Sequence, residues 1–117
     1  MNPHQQQDQA FDDMADAQLR RLERALSELD PDEVEADLAG DVLTLTLRDG
    51  TRIVINRHRA ARQIWMAALR QAWHFNPEDQ GRHWRTAQQR EELVSTLERV
   101  LSQQLGRPIQ LPGARMP

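Results

Sequence analysis

The sequence predicts an α+β fold: a two-layer α-β sandwich with N- and C-terminal helices packed on one face of an antiparallel sheet. Three observations predict it. Apolar residues of helical period occur near each end of the chain. Between them lie short alternating or β-branched segments punctuated by turn residues. The resulting order is helix, strands, helix, and laying both helices on one sheet face buries the apolar stripes in a single core.

Met1 to Ala10 is polar and glutamine-rich and is expected to be a flexible lead-in, with one domain over residues 11–111 and a tail at 112–117. From Phe11 the period becomes helical. Phe11, Ala15, Leu19, Leu22, Leu26 and Leu29 fall within about a quarter of a helical wheel. Asp12, Asp16 and Glu23 flank that stripe, and Asp16–Arg20 has the i,i+4 spacing that partly neutralises it. Pro31 should end the helix, because the residue before a proline is pushed out of the α region. Glu33 to Leu38 then alternates acid and apolar, as a half-buried strand with a wet face of carboxylates does.

Gly40-Asp41 is a turn, and Val42–Arg48 and Thr51–Arg57 flank Asp49-Gly50 as a hairpin. A two-residue loop would pair Leu45 with Val54 and Leu43 with Asn56, mixing polar and apolar residues on one face. A three-residue loop with a glycine bulge shifts the register by one, so that Leu43, Leu45, Leu47, Ile53 and Ile55 share a core face. Thr44, Thr46, Arg52, Val54 and Asn56 then share the other. Arg62–Ala68 and Ala72–Phe75 are further strands, Asn76–Gly81 is a turn region, and His83–Arg85 is a last strand. Trp65 is expected on the open face, because Ile64 and Met66 make the better inward pair. Trp73, Phe75 and Trp84 are expected in the core.

Thr86 and Gln89 have capping-box spacing for a second helix. Leu93, Leu97, Val100, Leu101 and Leu105 form its stripe, and Gly106 sits at its C-cap with Pro108 beyond. Ile109 and Leu111 give the extended tail something to bury.

Composition narrows the function. The chain has 117 residues and no cysteine, which excludes a disulfide framework, a thiolate metal site and a cysteine nucleophile. His58, His74 and His83 lack the paired spacing of a metal site, and no phosphate loop or nucleophile elbow is present, so nothing points to an enzyme. All 15 cationic side chains are arginine. Residues 1–41 hold twelve acids against three arginines, and residues 42–117 hold six against twelve. Such polarity bears on partners and encounter.

The acidic run Glu28, Asp30, Asp32, Glu33, Glu35, Asp37 and Asp41 contains no base. Same-face neighbours on a strand lie about 7 Å apart. Two carboxylates at that spacing repel by about 0.6 kcal/mol in water and about 2.4 kcal/mol at an effective dielectric of 20. Hard cations or a basic partner would relieve that field, and a solvated face that aids solubility is the plain alternative. Arg48, Arg52, Arg57, Arg59 and Arg62 offer a rival reading, a nucleic-acid-binding or metal-independent interaction module using the arginine-bearing sheet face. Against it, the middle strands carry Leu, Ile and Thr where stacking aromatics would stand.

Val42-Leu43-Thr44-Leu45-Thr46-Leu47, Asp49-Gly50, Ile53-Val54-Ile55-Asn56-Arg57, Gln63-Ile64-Trp65-Met66-Ala67, His74-Phe75 and Trp84 resemble the bacterial frataxins of the CyaY type. The similarity is densest from Val42 to Phe75 and extends to Gln103-Gln104-Leu105-Gly106 closing the last helix. The resemblance implies a frataxin-like sandwich and a cytoplasmic, monomeric, non-enzymatic role in iron–sulfur cluster assembly. It implies weak iron binding by carboxylates, which by position would be Asp16, Glu23, Glu28, Asp30, Asp32, Glu33, Glu35 and Asp37. It further implies docking on a cysteine desulfurase and its scaffold protein, with Glu33, Glu35, Asp37, Asn56 and Trp65 as contacts. No membrane or nucleic-acid partner is expected.

Overall fold

A computed structural model describes residues 2–117; Met1 lies outside the described residues. Helix α1 (Pro3–Leu26) is followed by strands β1 (Val34–Ala39), β2 (Val42–Leu47), β3 (Arg52–His58), β4 (Gln63–Ala68), β5 (Gln71–Glu78) and β6 (His83–Arg85), then helix α2 (Leu93–Leu105). The strands form one antiparallel sheet in sequence order, with β1 at one edge and β6 at the other. Phe11, Leu19, Leu22 and Leu26 of α1 and Leu93, Leu97, Val100 and Leu101 of α2 are buried in one core with the inward residues of the sheet. The two-layer sandwich expected from the element order is the fold observed.

The central hairpin has the three-residue-loop register. Leu45 pairs with Ile53 and Leu43 with Ile55, and all four are completely buried with Leu47 beside them. Gly50 closes the loop at φ 87°, a left-handed value that a side chain would resist. Gly106 caps α2 at φ 72°, and Ile109 and Leu111 are buried as expected.

Five expectations are corrected. Residues 3–10, read as part of a lead-in, are the first turns of α1. Their helix is held by a reciprocal cap: the Gln5 N–H donates to Asn2 Oδ1 at 2.8 Å, and the Asn2 N–H donates to Gln5 Oε1 at 3.1 Å. With Pro3 at the first position, that cap starts a helix without any apolar stripe. The same helix ends at Leu26, ahead of Pro31. The Ser27 hydroxyl donates to the Arg24 carbonyl at 2.6 Å, and the Glu28 and Leu29 N–H groups close tight turns onto Ala25 and Leu26. Strand β5 runs on through Asn76, Pro77 and Glu78, read as a turn, because β6 pairs with those three residues.

Helix α2 starts at Leu93, where Glu92 accepts from the Val94 and Ser95 N–H groups. Thr86, the expected cap, instead accepts from the Glu91 N–H. Residues 112–117, read as a tail, lie against the helices: Ala114 is fully buried, and the buried Gln18 amide donates to its carbonyl at 2.8 Å.

Candidate functional site

The carboxylates fall into two groups with opposite electrostatic environments. Along the first half of α1, Asp8 pairs with Arg62 at 3.1 Å, and Asp12 pairs with Arg59 at 2.6 Å and lies 4.0 Å from Arg57. Arg57 also pairs with Asp41 in the β1–β2 turn. The arginines come from β3 and the β3–β4 turn, which crosses α1 at this end. Arg57 and Asp12 are mostly withdrawn from solvent, with side chains 18% and 14% exposed. One turn further along α1, Asp16 is taken up by Arg20, as the i,i+4 spacing anticipates.

Beyond that point the counter-ions run out. Among the described residues, Glu23, Glu28, Asp30, Asp32, Glu35 and Asp37 are in no ion pair. Glu23 sits in the last turns of α1, Glu28, Asp30 and Asp32 in the connection, and Glu35 and Asp37 on the outward side of edge strand β1. All but Glu23 are exposed. Asp30 Oδ1 accepts from the Asp32 N–H at 2.9 Å, which fixes the shape of the connection without neutralising it.

Glu33 departs from its sequence-based expectation as a water-facing carboxylate. Arg107, just past α2, ion-pairs with it and holds its carboxyl below the usual range, helped by the charge of Arg48. Its side chain is only 19% exposed. Of the expected iron-binding group, Asp16 and Glu33 are thus engaged by arginines, and the other six are available. Among the described residues no three His, Asp or Glu side chains converge on one point as a metal cage would require. The donors are hard oxygens, which suit hard cations rather than soft ones.

The outer sheet face carries the second candidate feature. Trp65 pairs across strands with Asn56 and His74. Its ring is stacked between His58, at 3.7 Å between centroids and 17° between planes, and His74, at 4.2 Å and 14°. The indole N–H donates to Gln63 Oε1 at 2.7 Å, and Gln63 donates to Asn76. Trp65 is on the open face as predicted, but both faces of its ring are covered, so it offers an edge to solvent. Trp73, Phe75 and Trp84 are core residues. The histidine partners of Trp65 were not foreseen; the His74 contact follows from the β4–β5 register, which rests on a tight Leu69-Arg70 turn with both residues at positive φ and no glycine to signal it.

The arginine group of the rival reading is not assembled on this face. Arg57, Arg59 and Arg62 point into ion pairs with α1 and the β1–β2 turn, and Arg48 donates to the Asp32 carbonyl. No helix among the described residues is long and apolar enough to cross a membrane.

Comparison with known proteins agrees with this architecture. Residues 4–107 match the profile of the frataxin-like domain. A protein of Ralstonia nicotianae named iron-sulfur cluster assembly protein CyaY is 42% identical over 95 residues, covering 78% of this chain and 81% of that one. A protein of the same name from Dechloromonas aromatica is 36% identical over 105 residues, covering 89% and 97%. The solved frataxin of Psychromonas ingrahamii superimposes with a TM-score of 0.80 at 24% identity, over 89% of this chain and 96% of its own, which supports the fold. A sandwich of this topology, a domain match over nearly the whole chain and relatives of this similarity place the chain in the frataxin family, among the CyaY-type iron–sulfur cluster assembly proteins.

Proposed function

We propose that the chain is an iron-responsive adaptor of cluster assembly that docks on the cysteine desulfurase through its acidic edge and has no chemistry of its own. The observation that carries this reading is the segregation of charge: the fold supplies arginines to the acids of the first half of α1 and none to Glu23, Glu28, Asp30, Asp32, Glu35 and Asp37. Unneutralised carboxylates crowded at a sheet edge store repulsion that a basic surface relieves on contact, and they speed encounter with it. The outer face around Asn56 and Trp65 is left for the scaffold protein, with His58 and His74 setting which part of the indole is presented.

Iron belongs to this reading as a weakly held ion, bound by the six free carboxylates. Asp16 and Glu33 would first have to release Arg20 and Arg107. The reading places the protein in the cytoplasm as a monomer.

Binding of the purified desulfurase across a salt series tests the proposal. Binding at low salt that weakens toward physiological ionic strength, where charges beyond about 8 Å are screened, is expected. No binding at low salt, or binding indifferent to salt, overturns it. Anaerobic Fe²⁺ titration should move amide resonances between residues 23 and 37, and flat shifts there would remove iron from the account.

A further inference from the structure

A concavity of about 360 Å³ lies between the C-terminal end of α1 and edge strand β1, within the acidic edge. Its lining is largely apolar: Leu26 from the helix end, Leu29 from the connection, and Val34 and Ala36 from the strand. Glu23 and Glu35 stand at its rim. Leu26 and Val34 are closed into the core, whereas Leu29 and Ala36 are only partly covered. The groove exists because α1 stops at Leu26. The chain then folds back through Ser27–Pro31 before entering β1, and no later segment covers the gap.

We infer that this groove receives an aliphatic side chain of a basic partner segment, so that the acidic edge recognises an apolar residue flanked by arginine or lysine rather than positive charge alone. The inference rests on the proposed docking surface and adds what that surface selects. Charge complementarity identifies the occupant: carboxylates without counter-ions rim an apolar floor, which suits a cationic segment and disfavours an acidic one. Surface carboxylates steer a cation but hold it weakly in salt, whereas removing apolar surface from water adds affinity that screening does not reduce. Among the described residues, Arg24 is the one cation lining the groove. It is exposed and in no ion pair among the described residues, so its charge opposes the flanking cations of the partner.

The probes are two synthetic peptides, Arg-Arg-Leu-Arg-Arg and Arg-Arg-Ser-Arg-Arg, titrated into the ¹⁵N-labelled full chain at about 0.05 and 0.15 M salt. The leucine peptide should bind about fivefold more tightly, with amide shifts centred on Leu26, Leu29, Val34 and Ala36. In Ala36→Gln, and independently in Leu29→Asn, the two peptides should become equal while both keep the same salt dependence. An unchanged circular dichroism spectrum certifies each variant. Equal affinity in the native chain, or a leucine preference that both variants retain, overturns the inference. Pull-down of the desulfurase separates the two readings. Desulfurase binding without leucine preference leaves the docking surface standing and removes the groove. Leucine preference without desulfurase binding supports the groove and removes that enzyme as its partner.

Discussion

At the N-terminal half of α1, Asp8 and Asp12 meet Arg57, Arg59 and Arg62; at its C-terminal end and onward through β1, Glu23 to Asp37 meet water, apart from Glu33. The two regions belong to the same acidic third of the chain and differ in what the fold brings to them. Strand β3 and the β3–β4 turn deliver three arginines to one end, whereas at the other, among the described residues, Arg107 alone forms an ion pair. Removing one partner of a partly desolvated pair is costly, because it leaves the other charge unpaired. Free and exposed acids contribute little to stability and remain available to a partner. An acidic run is therefore a surface for recognition only where the tertiary structure withholds its counter-ions.

The largest expected effect lies on the free side. Glu35→Lys with Asp37→Lys should weaken desulfurase docking at least about tenfold at physiological salt, because each substitution replaces an attraction by a repulsion. Stability should stay within about 0.5 kcal/mol of the native value, since both side chains are exposed on the outward side of β1. Calorimetric titration and a thermal melt check the two halves. Docking that is unchanged would erase the distinction between the regions. Glu33 is the wrong residue for that test, because its change would also break the Arg107 pair.

The reverse pattern should hold on the paired side. Asp12→Ala leaves the half-buried Arg57, whose Nε already lacks a hydrogen-bond partner, with Asp41 as its one carboxylate among the described residues. A loss of about 1–2 kcal/mol in urea unfolding is expected, with desulfurase affinity unaltered. A variant that weakened docking instead would extend the recognition surface along α1. Sharpening the contrast further, Arg24→Glu removes the cation in the groove and should tighten docking by about threefold at low salt, with most of the gain lost at high salt. A gain that persisted in high salt would locate the effect in packing rather than charge.

The smallest effect is on pH dependence. The Arg107 hydrogen bond and charge depress the Glu33 carboxyl, so its folded value lies below its unfolded one. Its contribution is complete above the ordinary glutamate value of about 4.3 and is lost as pH falls through the lower folded value. Glu33→Gln should therefore flatten the acid limb of stability measured by urea midpoints between about pH 5 and pH 2. An acid limb identical to that of the native chain would show that the pair is open in solution.

Much of the fold was legible. The register of the β2–β3 hairpin is legible because a three-residue loop puts Leu43, Leu45, Ile53 and Ile55 on one face and a two-residue loop does not. The start of α1 is legible in Asn2-Pro3 with Gln5, but those residues precede a segment without the apolar period that marks the rest of the helix. The start of α2 was misassigned because Thr86 and Gln89 have the spacing of a cap while Glu92 does the capping, a role in which glutamate is not a preferred residue. At the site, the acidic strand and the outward Trp65 could be read from alternation. The histidines stacked on Trp65 could not, because one of them lies across a turn formed by Leu69 and Arg70.

The sequence by itself determined the two layers, the strand phases and the presence of an acidic first third, because burial of alternating and helical stripes depends on local order alone. It did not determine which acids stay free. The Glu33–Arg107 pair joins residues 74 positions apart, and Arg59 and Arg62 reach α1 from 47 and 54 positions away. Whether a carboxylate meets an arginine or water is decided when the sheet and both helices close on one core, since Coulomb attraction acts across space and not along the chain.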